Sequence, residues 1–311
     1  MELKALRDVM SEELLRIAEL DRRIIVLDAD LATSTKVNTF QQRFPERFFQ
    51  MGVAEQNMIG TAAGLSTLGF VPFTSTFACF LAKRALDQIR VSVAQPALNV
   101  KLLGTYGGLF TGKTGKTHQT VQDIAIMRTM PNMRVLVPGD AIEMKEALRA
   151  SVEYEGPVYL RIARDPSPVF MPSHYRFQWG EPFSLRKGSD LTLISTGIFT
   201  AKALEVAERL GKAGVECRVE HLASLKPIHT ESIARIARES RRLVTLENHS
   251  IMGGLGGAIA EIVCEEHPVL MKRLGVRDTF CESGSNEDLA CKYGVDENQI
   301  YRECLEFVRK E

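Results

Sequence analysis

Short apolar runs alternate with stretches of helical periodicity along nearly all of this 311-residue chain. That alternation constrains the fold more than any other feature. Leu3, Leu6, Val9, Met10, Leu14, Ile17 and Leu20 recur at the three- and four-residue spacing of a helix face. Ile24–Leu27 follows as an apolar run ending at Asp28, the pattern of a strand buried on both faces. The same reading predicts helices over Ala54–Leu68, Thr76–Val93 and Ala141–Val152, and strands over Phe70–Phe73, Val100–Leu103, Val135–Val137 and Val158–Ile162. Strands separated by helices rejoin one sheet only through crossovers. The expected class is therefore α/β, with a mostly parallel sheet and helices on its faces.

Between Arg164 and Gly188 the pattern stops. Pro166, Pro168, Pro172 and Pro182 break any periodicity, so this stretch reads as a linker. A second α/β unit follows, with strands expected at Leu191–Ser195, Val215–Val219 and Leu243–Leu246. Helices are expected at Thr200–Leu210, Ile233–Ala237, Ala258–Cys264 and, last, Glu297–Arg309. At roughly 100–200 residues per domain the chain has room for two cores. No internal repeat or low-complexity tract interrupts either half.

Charge and cysteines narrow the function class. Lys+Arg and Asp+Glu are both 39, a formal net charge of +0, which argues against a broad electrostatic grip on nucleic acid or an anionic membrane. No apolar run approaches the roughly 20 residues of a spanning helix, and the first turns carry charge rather than a signal-peptide core. The six cysteines are scattered without a Cys-x-x-Cys pair. Free thiols in a reducing cytoplasm are expected.

Two glycine-rich stretches imitate nucleotide sites. Gly107-Gly-Leu-Phe-Thr-Gly-Lys113-Thr114 satisfies a P-loop pattern, but Gly115 follows at once and Gly115-Lys-Thr-His118 is a poor start for the helix that such a loop needs. Gly253-Gly-Leu-Gly-Gly257 resembles a dinucleotide fingerprint, but Ile259 stands where a third small residue is required. Three other stretches carry more. In Phe48-Phe-Gln-Met-Gly-Val-Ala-Glu55-Gln-Asn, an acidic residue sits where a strand end gives way to an apolar helix, whose neighbours withdraw its carboxylate from water. In Ser75-Thr-Phe77-Ala-Cys-Phe80, Ser75 or Thr76 is expected to cap a helix on which Phe77 and Phe80 share one face. Such a pair is either core packing or a platform for a flat heterocycle. Gly115-Lys-Thr-His118-Gln places a histidine at the end of a glycine-bearing loop, solvated or poised for acid/base work.

In this order and spacing, together with Phe44-Pro-Glu-Arg-Phe-Phe and Glu247-Asn-His-Ser-Ile-Met-Gly-Gly-Leu-Gly, these stretches resemble the C-terminal half of transketolase over essentially the whole chain. The resemblance is nearest to the C-terminal subunit found where the enzyme is split into two chains. It implies a pyrimidine-binding thiamine diphosphate domain at 1–170, a linker at 171–187 and a smaller C-terminal transketolase domain at 188–311. It also implies a cytoplasmic enzyme of pentose phosphate carbohydrate metabolism, transferring a two-carbon ketol unit. By resemblance Glu55 hydrogen-bonds the cofactor's pyrimidine nitrogen, Phe77 and Phe80 pack on that ring, and Asp30 lies near the cofactor. His118 faces the substrate hydroxyls, and Ser34 and Arg164 match ligands of the donor phosphate.

Three departures qualify the resemblance. Thr114 stands where the family carries an Asp that reads donor stereochemistry, and Tyr106 where it carries a phosphate-binding His. The family also holds diphosphate through Mg²⁺ with a Gly-Asp-Gly motif, and this chain has only Gly139-Asp140-Ala141. The resemblance therefore implies that metal and diphosphate ligands come from an N-terminal subunit, in a heterotetramer of two pairs, and that this chain holds no metal itself. A sugar phosphate or another anionic ketose is the implied substrate. The alternatives are a subunit like deoxyxylulose-phosphate synthase or the 2-oxo acid dehydrogenase β chain, or a non-catalytic assembly subunit.

Overall fold

The run Ile24-Ile-Val-Leu-Asp28 is buried at every position, as a strand covered on both faces must be. The computed structural model describes residues 2–310. Its strands are β1 Leu3–Ala5, β2 Ile24–Asp28, β3 Phe48–Gln50, β4 Val71–Phe77, β5 Lys101–Thr105, β6 Arg134–Leu136 and β7 Val158–Ile162. They continue with β8 Pro166–Pro168, β9 Phe183–Arg186, β10 Leu191–Ser195, β11 Cys217–His221, β12 Ser224–Lys226, β13 Leu243–Ser250 and β14 Met271–Val276. One seven-stranded sheet has the order β12-β6-β7-β5-β4-β2-β3, and a five-stranded sheet has the order β14-β13-β10-β11-β9. Pairing is parallel except at one edge of each, where β12 and β9 run antiparallel to their neighbours. The expected α/β class with mostly parallel sheets is what the chain forms.

Several local expectations are corrected. The helix expected from Leu3 begins at Leu6, because Leu3–Ala5 pairs antiparallel with Pro166–Pro168. Prolines lack a donor, and an outlying two-stranded ribbon tolerates that. The helix expected over Thr76–Val93 is three pieces: Ala78–Arg84, the turn Leu86–Gln88 and a wide π turn over Ile89–Ala94. Neither Ser75 nor Thr76 caps it. Strand β4 continues through Phe77, held by the pairs Thr76↔Gly104 and Phe77↔Thr105. The stretch read as linker contains β8 and ends in β9, and both pair with strands outside it.

The two halves are sewn together. Strand β12, late in the chain, is the edge of the first sheet, pairing with β6. Ile124, Met127, Val135, Leu225, Ile233, Leu255 and Ile259 belong to one buried apolar cluster. A polar seam lies beside it. Arg161 on β7 is ion-paired to Asp123 at 2.7 Å and donates to Asn248 O at 2.9 Å. Tyr159 Oη donates to the same Asp123 carboxylate at 2.7 Å. Burial alone would raise the pKa of Asp123, but Arg161 and the neighbouring donors outweigh it and hold this carboxyl low.

Candidate functional site

Parallel strands all point their carboxyl ends one way, so the loops leaving β2, β4, β5 and β7 gather on one edge of the first sheet. That edge collects Asp30, Phe77, Tyr106 and Arg164. Two of the linking residues are strained: Asp30 has φ 62 and Tyr106 has φ 58, a region most side chains avoid and one that clusters at binding sites.

Glu55 is the first residue of helix Glu55–Thr67 and is 4% exposed. A carboxylate there faces the positive end of the helix. Its Oε1 accepts from Arg84 Nη1 at 3.0 Å, and no described hydrogen bond uses Oε2. Arg84 ends helix Ala78–Arg84, is half-exposed, and lies 4.1 Å from the Phe80 ring centroid. Its carbonyl accepts from Gln56 Nε2 at 3.0 Å, which ties the two helices together.

The aromatic residues form a shelf. Phe77 is buried and stacks on Tyr106 at 4.0 Å and on Phe80 at 5.9 Å. The Phe80 ring is half-buried, and His118 presents its edge to it at 5.2 Å. His118 Nδ1 is hydrogen-bonded to Thr117 Oγ1 at 2.9 Å. Phe77 and Phe80 are thus gathered by a strand end and a helix start rather than by one helical face.

Behind Tyr106 stand two guanidinium groups, each 5.5 Å from its ring: Arg164 and Arg7. Arg7 Nη1 donates to Tyr106 Oη at 2.8 Å and to Ser34 O at 2.9 Å. The Nε atoms of both arginines are buried without a partner. Sequence reasoning missed Arg7, although a signal existed. It falls on the stripe Leu3, Arg7, Met10, Leu14, where a charged residue breaks an otherwise apolar helix face.

Another missed pair is Asp28 and Gln50. Burial pushes the Asp28 carboxyl above the usual carboxylate range, with Asp30 adding to it. Asp28 Oδ2 accepts from Leu31 N, Ala32 N and Gln50 Nε2, while Oδ1 has no partner. Gln50 Oε1 accepts from Asp30 N at 2.9 Å and Gly52 N at 3.0 Å. One amide therefore fastens the Asp30 turn to the loop that leads into Glu55.

Thr114 lies on the loop that leads to His118. It is exposed, and its hydroxyl donates to Thr111 Oγ1 at 2.8 Å within the short turn Gly112–Thr114. That three-residue turn is the only helical piece in the P-loop-like stretch. Gly254, in the stretch that imitates a dinucleotide fingerprint, packs on the Glu247 carboxylate, leaving no room for a Cβ. Asp140 of the Gly-Asp-Ala tripeptide is spent on structure: Oδ1 accepts from Ile142 N and Glu143 N, and Oδ2 from Phe170 N and Met171 N.

The arrangement gathers an acid at a helix start, an aromatic shelf and a pair of arginines around the strand ends of the first sheet. Residues 3–168 match the family profile described as the transketolase pyrimidine binding domain, and residues 183–300 match the transketolase C-terminal domain. The chain belongs to the transketolase family, a family of thiamine-dependent enzymes. It is 40% identical to the 6-deoxy-6-sulfo-D-fructose transketolase subunit of Clostridium sp., covering 98% of this chain and 95% of that protein. It is 34% identical to an apulose-4-phosphate transketolase subunit of Phocaeicola vulgatus, over 98% of each. Among solved structures, an inactive beta4 tetramer of a split-gene transketolase superposes with TM-score 0.89 at 43% identity, covering 98% of each chain. The transketolase of Campylobacter jejuni shares the fold with TM-score 0.86 at 20% identity, and there the match covers 47% of the longer chain.

Among the described residues no helix is long and apolar enough to cross a membrane.

Proposed function

We propose that this chain is the C-terminal subunit of a cytoplasmic, thiamine diphosphate-dependent transketolase. In this reading it moves a two-carbon ketol unit from a ketose with an anionic end to an aldose acceptor. It works only with an N-terminal subunit that brings the Mg²⁺ and diphosphate ligands, in a heterotetramer of two pairs. The single observation that carries the reading is Glu55: buried at a helix start, with one oxygen uncommitted on an open face beside Phe80. The residues present fit an aminopyrimidine. Phe80 offers a half-buried ring for stacking, and Ser75 Oγ and Thr76 Oγ1 at the end of β4 are buried without partners. The commitment of Asp140 to four backbone donors supports taking the metal and diphosphate ligands from the partner chain.

Bound thiamine diphosphate supplies the electron sink for C–C cleavage. Glu55 holds and returns a proton at the pyrimidine ring nitrogen. Phe77 backs Phe80, which orients the ring, and Asp30 is positioned near the cofactor by Gln50. His118 hydrogen-bonds the donor hydroxyls. Arg164, Arg7 and Ser34 receive the donor's anionic end beside Tyr106, since a planar guanidinium fork suits phosphate and other oxyanions.

The donor itself is the finer question. The similar subunits named for 6-deoxy-6-sulfo-D-fructose and apulose 4-phosphate support an anionic ketose other than the ordinary sugar phosphates. Thr114, turned to Thr111, supplies no carboxylate to read a donor hydroxyl. A charge-assisted hydrogen bond there is worth roughly 1.5–3 kcal/mol, so stereochemical discrimination falls roughly 10–100-fold without it. The test is reconstitution with the partner subunit. Donors to compare are fructose 6-phosphate, xylulose 5-phosphate, their epimers, 6-deoxy-6-sulfo-D-fructose and apulose 4-phosphate. Turnover of at least one sulfonate or branched donor at a rate near the best substrate is expected. Strict preference for the two ordinary donors would remove the relaxed-donor reading. Tight, Mg²⁺-dependent cofactor binding by the isolated chain in calorimetry would remove the two-chain reading.

A further inference from the structure

The C-terminal unit reaches into the loop that carries His118. Gln119 Nε2 donates to Glu282 O at 3.1 Å, and a Cβ at Gly115 would strike Ser283 Oγ. Asn286 goes further. Its Nδ2 donates to the Asp165 carboxylate, and its Oδ1 faces Gly112 N at 3.4 Å. The other Asp165 oxygen accepts from Arg164 Nη1 at 3.0 Å. The chain of contacts Asn286, Asp165, Arg164 ends on a guanidinium whose Nε is buried without a partner, beside Tyr106.

We propose that Asn286 is a positioning residue for the donor's anionic end, holding Asp165 so that Asp165 aims Arg164. The inference rests on the reading of Arg164 as an anion ligand. Asp165 is adjacent to Arg164 in sequence and can follow it through many rotamers. Only a contact with a separate element fixes both. Ordering the arginine before the ligand arrives removes that entropic cost from binding. Asn286 does this with a neutral amide, so the Asp165 carboxylate alone shares the positive charge of Arg164, and Arg164 Nε keeps no partner of its own. A carboxylate at 286 would compete for that charge and repel Asp165. The same amide accepts from Gly112 N, whose φ of 68 disfavours a side chain, and a Cβ there would displace Arg164 Nη1, 2.5 Å away.

The test uses the complex reconstituted with the N-terminal subunit, with whichever of fructose 6-phosphate, 6-deoxy-6-sulfo-D-fructose and apulose 4-phosphate it turns over fastest as anionic donor and L-erythrulose as neutral donor. Asn286→Ala is expected to raise KM for the anionic donor about tenfold, the cost of one hydrogen bond to a charged group, with kcat unchanged and no effect on erythrulose. Asn286→Asp is expected to raise it further. A second readout needs neither cofactor nor partner. In the full chain labelled with ¹⁵N-arginine, the Arg164 Nε–H resonance, assigned by its loss in Arg164→Gln, should shift on adding inorganic phosphate. Asn286→Ala should weaken that titration by a similar factor. If Arg164→Gln raises the donor KM and Asn286→Ala changes neither readout, the inference is wrong and the reading of Arg164 stands. If Asn286→Ala lowers kcat equally for both donors, Asn286 merely supports the loop and the inference is wrong. If Arg164→Gln leaves the donor KM unchanged, the anion-ligand reading fails and takes the inference with it.

Discussion

Glu247 and Glu55 both stand at helix starts, and they have opposite fates. Glu247 lies within β13, buried along its whole length, and its carboxylate accepts from Leu255 N at 2.7 Å and Gly256 N at 2.8 Å, the first turn of helix Leu255–Glu266. It is fully buried, and that burial pushes its carboxyl up to about 7 despite the two amide donors. Glu55 begins helix Glu55–Thr67 with a single half-exposed partner, Arg84, and an oxygen left over. A carboxylate whose acceptor capacity is used up internally builds the fold. One with capacity left on an open face is available for chemistry. The same contrast separates the edge around Phe80 from the clamped seam around Arg161.

The sharpest way to break that contrast is Glu55→Gln. Nearly isosteric, it should leave the melting temperature of the isolated chain unchanged and lower kcat of the reconstituted enzyme roughly 10²–10⁴-fold, the usual contribution of one positioned acid/base group. Near-normal turnover would place Glu55 with Glu247 among the structural carboxylates.

On the seam the outcome reverses. Asp123→Ala leaves Arg161 buried and unpaired, which typically costs about 3–5 kcal/mol. Urea unfolding of the chain alone should register most of that. A loss no larger than that of an exposed ion pair would mean that Asn248 O and Thr120 O satisfy Arg161 without the carboxylate.

His249 sharpens the comparison through pH. Burial lowers its pKa to about 4 from the usual 6.5. The geometry agrees, with Nδ1–H donating to Ser250 O and Nε2 taking Ala125 N–H, so the neutral ring is the one that fits. The unfolded chain binds the proton first, so stability falls as pH drops below about 6.5, until the folded ring also protonates near 4. The full loss is about 3 kcal/mol. Asn keeps a donor near Nδ1 but does not titrate, so the difference between wild type and His249→Asn isolates this loss from the opposite contribution of Glu247, which burial raises to about 7 and which is present in both proteins. A wild-type excess loss that persists in the variant would assign the slope to other groups.

The smallest effect belongs to a cap far from the open edge. Asp296 accepts from Asn298 N and Gln299 N at the start of the last helix. Asp296→Ala should cost about 1 kcal/mol of stability and leave the turnover of the reconstituted enzyme as it was. Altered kinetics would show that the two regions are less separate than their contacts indicate.

Much of the fold was legible because period is a local property. The apolar runs at Ile24–Asp28, Leu191–Ser195 and Val158–Ile162 read as strands and are strands. Elements without a local signal were missed. Nothing in Ser224-Leu-Lys226 says that it will close the far edge of the first sheet, and Pro166-Ser-Pro168 reads as a break until Leu3–Ala5 lies against it. Phe77 shows the limit most clearly. Its neighbours favour a helix start, but the ladder to Thr105 keeps it in the strand.

The sequence by itself determined the α/β class and the presence of an acid before an apolar helix. It also determined the order of motifs that resembles transketolase, since these depend on residue type and spacing alone. Only the tertiary structure decided which side chains meet. It put Arg7 and Arg164, far apart in the chain, on the same tyrosine. It gave Glu55 one partner and Glu247 a full set, and it carried Asn286 from the second unit to Asp165 of the first. The reason is physical. A hydrogen bond or ion pair is a statement about distance, and distance between remote residues is set by how whole sheets and helices pack.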